Sequence, residues 1–172
     1  MTHDEMVALI RGGVPAAGGT WADFGAGGGA FTRALRELLG PAAIIYAVDR
    51  DATALRAQQD AILVHADFTQ PLDLPPLDGL LLANALHWIQ DQDRVMARLV
   101  GYLRPGGRLL LVEYAVSQPR SYIPYPVPFA HFASLAQAAG LNPARPVGER
   151  RSPSSGISMY AAAADRPRSV RP

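Results

Sequence analysis

The chain has 172 residues, of which 49% are hydrophobic and 18% charged; such a composition can bury a core and lies outside that of disordered chains. Sixteen basic against fifteen acidic side chains leave a net charge of +1, without the concentrated positive field that a nucleic-acid backbone selects. No cysteine is present, which removes disulfides, thiolate nucleophiles and cysteine metal sites together.

Short apolar runs alternate with longer helical patterns, the sign of parallel strands joined by crossover helices, so the expected class is α/β. Residues 3–12 read as a short amphipathic helix, and Thr20 to Phe24 as the first strand. Phe31, Leu35, Leu38 and Leu39 recur at helical spacing until Gly40 and Pro41 end the run. Ile44 to Val48 is the second strand, 51–60 a helix and Ile62 to Ala66 the third strand. Pro71, Pro75 and Pro76 deny an α-helix in the next connection. Leu80 to Ala83 is the fourth strand, 91–103 a helix, and Arg108 to Glu113 the fifth strand. Residues 114–128 hold three tyrosines and four prolines and read as an ordered loop able to wall a cleft. A helix over 129–139 follows, then a hairpin of 144–149 and 157–163 around a polar turn. The expected domain is 1–164, with 165–172 a flexible basic tail. The opening MTHDEMVALI lacks a basic n-region and no apolar stretch reaches the ~18 residues of a membrane span; the expectation is a cytoplasmic chain.

The strongest chemical signal is Asp23-Phe24-Gly25-Ala26-Gly27-Gly28-Gly29, placed where a strand hands over to a helix. Glycines there let the backbone turn through positive φ and approach a ligand closely, while the helix start offers free N–H groups. With Ala30 the run also satisfies the dinucleotide pattern G-x-G-x-x-G/A, so an NAD(P)-dependent oxidoreductase has to be weighed. Asp23 sets a carboxylate where a pyrophosphate would lie and repels it, whereas a cationic ligand would be held. Asp49 closes the second strand 24 residues after Gly25, where an acid can accept from both ribose hydroxyls of either adenosine cofactor. No metal-ligand spacing, nucleophile elbow or phosphate loop occurs, and the chain has no lysine to serve the last.

These motifs in order give a resemblance. DFGAGGG at 23–29, AVDRD at 47–51, ADF at 66–68, LLLANALHW at 80–88 and LRPGGRLLLVE at 103–113 resemble the successive motifs of class I S-adenosylmethionine-dependent methyltransferases, of the small ubiquinone/menaquinone-biosynthesis type. The resemblance runs from Thr20 to about Ala163. It implies a doubly wound, Rossmann-like sheet of order 3-2-1-4-5-7-6 with strand 7 antiparallel, and methyl transfer from S-adenosylmethionine to a small-molecule acceptor.

It also implies roles. Asp23 would face the methionine part of the cofactor and Gly25, Ala26 and Gly27 would pass beneath it; Gly29 would allow close helix packing. Asp49 would bind the ribose diol, Arg50 would lie along the adenine, and Asp67 and the Phe68 N–H would read its edge. Asn84 would sit near the ammonium and the methyl-transfer position. His87 is the candidate general base, and Trp88, Tyr122 and Tyr125 are candidates for the acceptor pocket; Trp88 equally suits the core or the cofactor-pocket wall. The acceptor site is expected from residues 1–15, the 84–90 rim and the 114–128 loop, or from a homodimer or partner subunit. The rival readings are a noncatalytic cofactor-binding or partner module and the oxidoreductase.

Overall fold

A computed structural model describes residues 1–15, 17–151 and 156–169. Alternating elements build a seven-stranded sheet: α1 (His3–Ile10), β1 (Thr20–Phe24), α2 (Ala30–Leu39), β2 (Ile44–Asp49), α3 (Ala52–Leu55), β3 (Ile62–His65), β4 (Leu77–Ala83), α4 (Gln92–Tyr102), β5 (Leu103–Tyr114), α5 (Phe129–Ala138), β6 (Arg145–Arg151) and β7 (Ser158–Asp165). The order across the sheet is β3-β2-β1-β4-β5-β7-β6. Strands β1 to β5 pair in parallel, and β7 runs antiparallel to both β5 and β6. The order and the antiparallel β7 are those that the sequence resemblance implies.

Alternation along each strand sorts the core into two layers. Ala22, Phe24, Leu80, Leu82, Leu109 and Leu111 pack on one face beneath α4 and α5, with Leu99, Phe132 and Leu135. Trp21, Ile45, Leu81, Leu110 and Val112 pack on the other beneath α1 and α2, with Ile10, Leu35 and Leu39. Thr2 caps α1 through a reciprocal capping box with Glu5, and Ile10 then buries completely. Residues 1–15 therefore pack on the α2 face of the core and the adjoining β6, and none of them lines the cavity at the strand ends.

Several boundaries differ from those expected, among them β5, which begins at Leu103 rather than Arg108 and runs to Tyr114, and the hairpin strands, which extend to Arg151 and Asp165. α3 stops at Leu55 rather than near residue 60, because the following backbone is drawn off: Gln58 turns its side chain to the glycine loop, and Arg36 takes the Asp60 carbonyl at 2.7 and 3.2 Å. β4 begins at Leu77, since Leu77 pairs with Leu103 before a register shift brings Gly79 opposite Arg108. The supposed tail starts firmly: Arg108 grips Asp165 bidentately at 2.6 and 2.9 Å, and the Arg166 N–H donates to the Gly107 carbonyl at 2.7 Å. The hairpin turn at 152–155 and the tail's end at 170–172 lie outside the described residues. No helix among the described residues is long and apolar enough to cross a membrane.

Gly79 is a packing glycine. A Cβ built there would come within 2.4–2.5 Å of three carbons of the buried Trp21 indole. Gly79→Ala is expected to overpack the sheet, cost about 1–3 kcal/mol, and lower the thermal midpoint in calorimetry; an unchanged midpoint contradicts this close approach.

Candidate functional site

The carboxyl ends of β1, β2 and β4 open onto one cavity of ≈ 410 Å³, within the usual range for small-molecule sites. It lies beside β1, the strand flanked by β2 on one side and β4 on the other, where an open α/β sheet reverses its winding. Gly25, Asp49, Arg50, Asp67, Phe68, Asn84 and Trp88 all line it, with Ala66, Thr69, Ala85 and Ile89.

The glycine loop is held from both sides. Gly25 turns at φ +77, and a Cβ there would stand 2.6 Å from the Ala85 methyl; only glycine fits this turn without strain. The Gly25 and Ala26 N–H groups both donate to the Val48 carbonyl, at 2.8 and 3.1 Å. The Gly27 N–H donates to Asp49 Oδ2 at 2.8 Å, and the Asp51 N–H to Asp49 Oδ1 at 2.8 Å. The Gly27 carbonyl in turn accepts from Gln58 Nε2 at 2.7 Å. Gln58, one of two adjacent glutamines inside the expected 51–60 helix with no motif around them, is not singled out by the sequence. It also corrects the role of Gly29, whose missing Cβ makes room for the Gln58 side chain, 2.6 Å away, rather than for helix packing. Ala26 faces inward to Ala47 and Leu55.

Asp23 lies just behind this loop and is almost fully buried. Thr32, in the first turn of α2, donates its hydroxyl to Asp23 Oδ2 at 2.7 Å, while Oδ1 has no partner. Burial pushes the Asp23 carboxyl up to about 7; the Thr32 hydrogen bond works against the rise and the negative charge of Asp49 adds to it. Asn84 follows β4 with φ +54, its N–H tied to the Val112 carbonyl at 2.9 Å and its buried Oδ1 also unpaired. Asparagine tolerates the left-handed region better than most residues. Two orphaned oxygens thus sit at the ends of neighbouring strands, and an unpaired buried polar atom calls for a partner from outside the chain.

At the cavity's other end Asp67 Oδ1 accepts from the Thr69 N–H and hydroxyl at 2.8 and 2.7 Å. Phe68 tilts against Phe24 with ring centroids 6.1 Å apart. Arg50 is exposed, its carbonyl bonded to the His65 ring at 3.0 Å.

His87 does not reach the cavity wall. It is buried, with Nδ1 2.7 Å from Glu113 Oε2 and its backbone N–H donating to Glu113 Oε1 at 3.1 Å. Glu113 is completely buried at the β5 end. The sequence assigns this glutamate no role; a single acid closing the four apolar residues 109–112 is the available signal. Trp88 next door is 53% exposed and lines the cavity, so it is a wall and not core. Tyr122 and Tyr125 stand outside the cavity wall: Tyr122 meets Tyr114 edge-on at 6.2 Å, and the Tyr125 N–H donates to the His87 carbonyl at 3.0 Å.

The family described as a methyltransferase domain matches residues 22–111 of this chain. A ubiquinone/menaquinone biosynthesis C-methyltransferase UbiE of Hahella chejuensis is 28% identical over 110 residues, 58% of this chain and 44% of that protein. A trans-aconitate 2-methyltransferase of Azoarcus is 34% identical over 108 residues, 60% of this chain and 40% of that protein. The chain spans less than half the length of these curated relatives. Among solved structures, the Burkholderia thailandensis 1,6-didemethyltoxoflavin-N1-methyltransferase, bound to 1,6-didemethyltoxoflavin and S-adenosylhomocysteine, superposes with a TM-score of 0.73 at 21% identity, over 96% of this chain and 78% of that one. With over half its length matched to that family, and with the sheet order and strand-end cavity described above, the chain belongs to the methyltransferase domain family and has the class I S-adenosylmethionine-dependent methyltransferase fold.

Proposed function

We propose that the chain transfers a methyl group from S-adenosylmethionine to a small-molecule acceptor. The observation that carries this reading is the pair of unpaired buried oxygens, Asp23 Oδ1 and Asn84 Oδ1, flanking a glycine turn whose next acid is Asp49. An amino acid's ammonium suits such acceptors and a pyrophosphate does not. When bound, the cofactor supplies a methyl carbon already activated by a sulfonium charge.

Asp49 would accept from the ribose hydroxyls with the lone pairs left by the Gly27 and Asp51 N–H groups. Asp23 and Asn84 would hold the amino end, directly or through water, above the Gly25-Ala26-Gly27 backbone. Arg50 would cover the adenine, while the Asp67 carboxylate and the Phe68 N–H would read its edge. The chain's main contribution is then alignment, which can supply on the order of 7–11 kcal/mol when geometry is near ideal. Where the acceptor must lose a proton, His87 would be the candidate to take it although it lies behind the cavity wall: in the tautomer whose Nδ1 donates to Glu113, Nε2 is the basic nitrogen.

Calorimetric titration with S-adenosylmethionine and with reduced nicotinamide nucleotide tests the reading. One saturable S-adenosylmethionine site with no competition from the nicotinamide is expected; competition would favour the oxidoreductase. Binding with no S-adenosylhomocysteine formed against any acceptor in a metabolite screen would favour the noncatalytic module. His87→Ala is expected to slow turnover about 10²-fold or more while leaving S-adenosylmethionine affinity within about twofold, a change below ~0.5 kcal/mol; equal loss in both would remove His87 from the chemistry.

A further inference from the structure

We propose that the acceptor is a planar ring system without negative charge, seated against an aromatic rim that extends the cofactor cavity; this rests on the methyl-transfer reading above. Large apolar side chains are exposed in few places among the described residues, and three of them, Trp88, Tyr122 and Tyr125, gather here. Trp88 and Tyr122 are joined through the buried His87 ring and the half-buried Tyr114 ring, and Tyr125 is tied to the same His87 through its backbone N–H. Trp88 lies 5.1 Å from the His87 ring, His87 lies 5.6 Å from Tyr114, and Tyr114 meets Tyr122 edge-on at 6.2 Å. Trp88 alone of these also lines the cavity, so the chain of rings leads outward from the mouth of the cofactor site.

The rim is held in place. Ile123 and Val127 are buried anchors on either side of Tyr125. The Tyr125 carbonyl accepts from Gln92 Nε2 at 3.0 Å, the Val127 carbonyl accepts from the Tyr160 hydroxyl at 2.6 Å, and Arg120 and Ile123 close a turn with paired 3.0 Å hydrogen bonds. Exposed aromatic faces on an anchored loop lose little freedom when a flat ligand stacks on them.

Charge narrows the class further. Behind the rings lies Glu113, paired with His87 at 2.7 Å and, among the described residues, with no arginine. Burial, Glu113 and Tyr122 together hold the Tyr114 phenol above its ordinary range, so the ring stays a neutral donor. The adjoining cavity sets Asp49 and Asp67 against Arg50. Arg120 is exposed on the loop's turn, two residues before Tyr122. An anionic acceptor would meet more carboxylate than guanidinium along this path, whereas electron-rich ring faces suit a neutral or cationic ring.

The test uses the whole chain saturated with S-adenosylhomocysteine and four probes titrated calorimetrically at pH 7.5: 2-naphthol, N-methylquinolinium, 2-naphthoate and tricarballylate. The first two are expected to bind at least about tenfold more tightly than the last two, a tenfold step being 1.4 kcal/mol. Tyr122→Ala should weaken 2-naphthol by about tenfold and Tyr122→Phe should restore it, with S-adenosylhomocysteine affinity the same in both, because Tyr122 does not touch the cavity. Glu113→Gln should narrow the gap between 2-naphthol and 2-naphthoate. Equal or tighter binding of 2-naphthoate or tricarballylate overturns the inference, as does a Tyr122→Ala variant that binds 2-naphthol like the parent. Failure to bind S-adenosylhomocysteine at all would instead overturn the methyl-transfer reading.

Discussion

Asp49→Ala is expected to weaken S-adenosylmethionine binding by about 100-fold or more. Each hydrogen bond from a ribose hydroxyl to a carboxylate contributes about 1.5–3 kcal/mol, and the same carboxylate orders the loop on which the ligand would rest. Its removal frees the Gly27 and Asp51 N–H groups, so the glycine turn loses its acidic clamp and keeps Gln58 on the Gly27 carbonyl and Arg33 on the Gly28 carbonyl. A loss of stability of about 1–2 kcal/mol should accompany the affinity change. Asp49→Asn separates the two effects, because one of its δ atoms becomes a donor and must oppose one of the two backbone N–H groups. Calorimetric titration gives both numbers, and an Asp49→Ala variant with parental affinity would refute the assignment of this carboxylate.

Asp23→Asn should do two opposite things: stabilise the free protein at pH 8 and weaken cofactor binding. The folded carboxyl is raised from 3.8 to about 7, so between those values the folded chain holds a proton that the unfolded chain has released. Its stabilising contribution is present in full below about pH 4 and is lost as pH rises through 7, an effect with a ceiling near ~4 kcal/mol at 1.36 kcal/mol per unit. Asparagine still offers an oxygen to the Thr32 hydroxyl and has no charge to bury, so its stability curve should be flat over that window. Asp165, held low by Arg108, shifts stability the other way, being lost as pH falls through its lowered value; the difference between parent and variant isolates Asp23. Affinity for S-adenosylmethionine should fall as the parent is taken from pH 8 to pH 6, and the variant should be uniformly weaker by about tenfold or more, with no such slope. Denaturant titrations at several pH values check the first half and calorimetry the second. A variant less stable than the parent at pH 8 would mean that the carboxylate is compensated in the free protein after all.

Strands and motif positions were legible because they rest on local rules. A four-residue apolar run such as 109–112 has few conformations that bury both faces, and Gly25 needs the turn that its place between strand and helix implies. The strand order came through motif resemblance, since periodicity fixes which residues face the core and says nothing of which strand lies beside which. What escaped was set by partners far away in the chain. Gln58 ends α3 early because its amide reaches 31 residues back to Gly27, and Glu113 meets His87 across 26 residues. Trp88 shows the limit of composition: a large aromatic beside a buried histidine could pack inward or wall a cavity, and only the geometry of the turn after β4 decides.

The two tryptophans of the chain occupy opposite environments: Trp21 is 1% exposed in the sheet and Trp88 is 53% exposed at the cavity mouth. Native emission from one unlabelled sample therefore divides into a blue component that survives until the sheet opens and a red, quencher-accessible component that responds to occupancy. Trp88→Phe leaves a single core chromophore for unfolding, and Trp21→Phe leaves a single optical sensor of ligand entry.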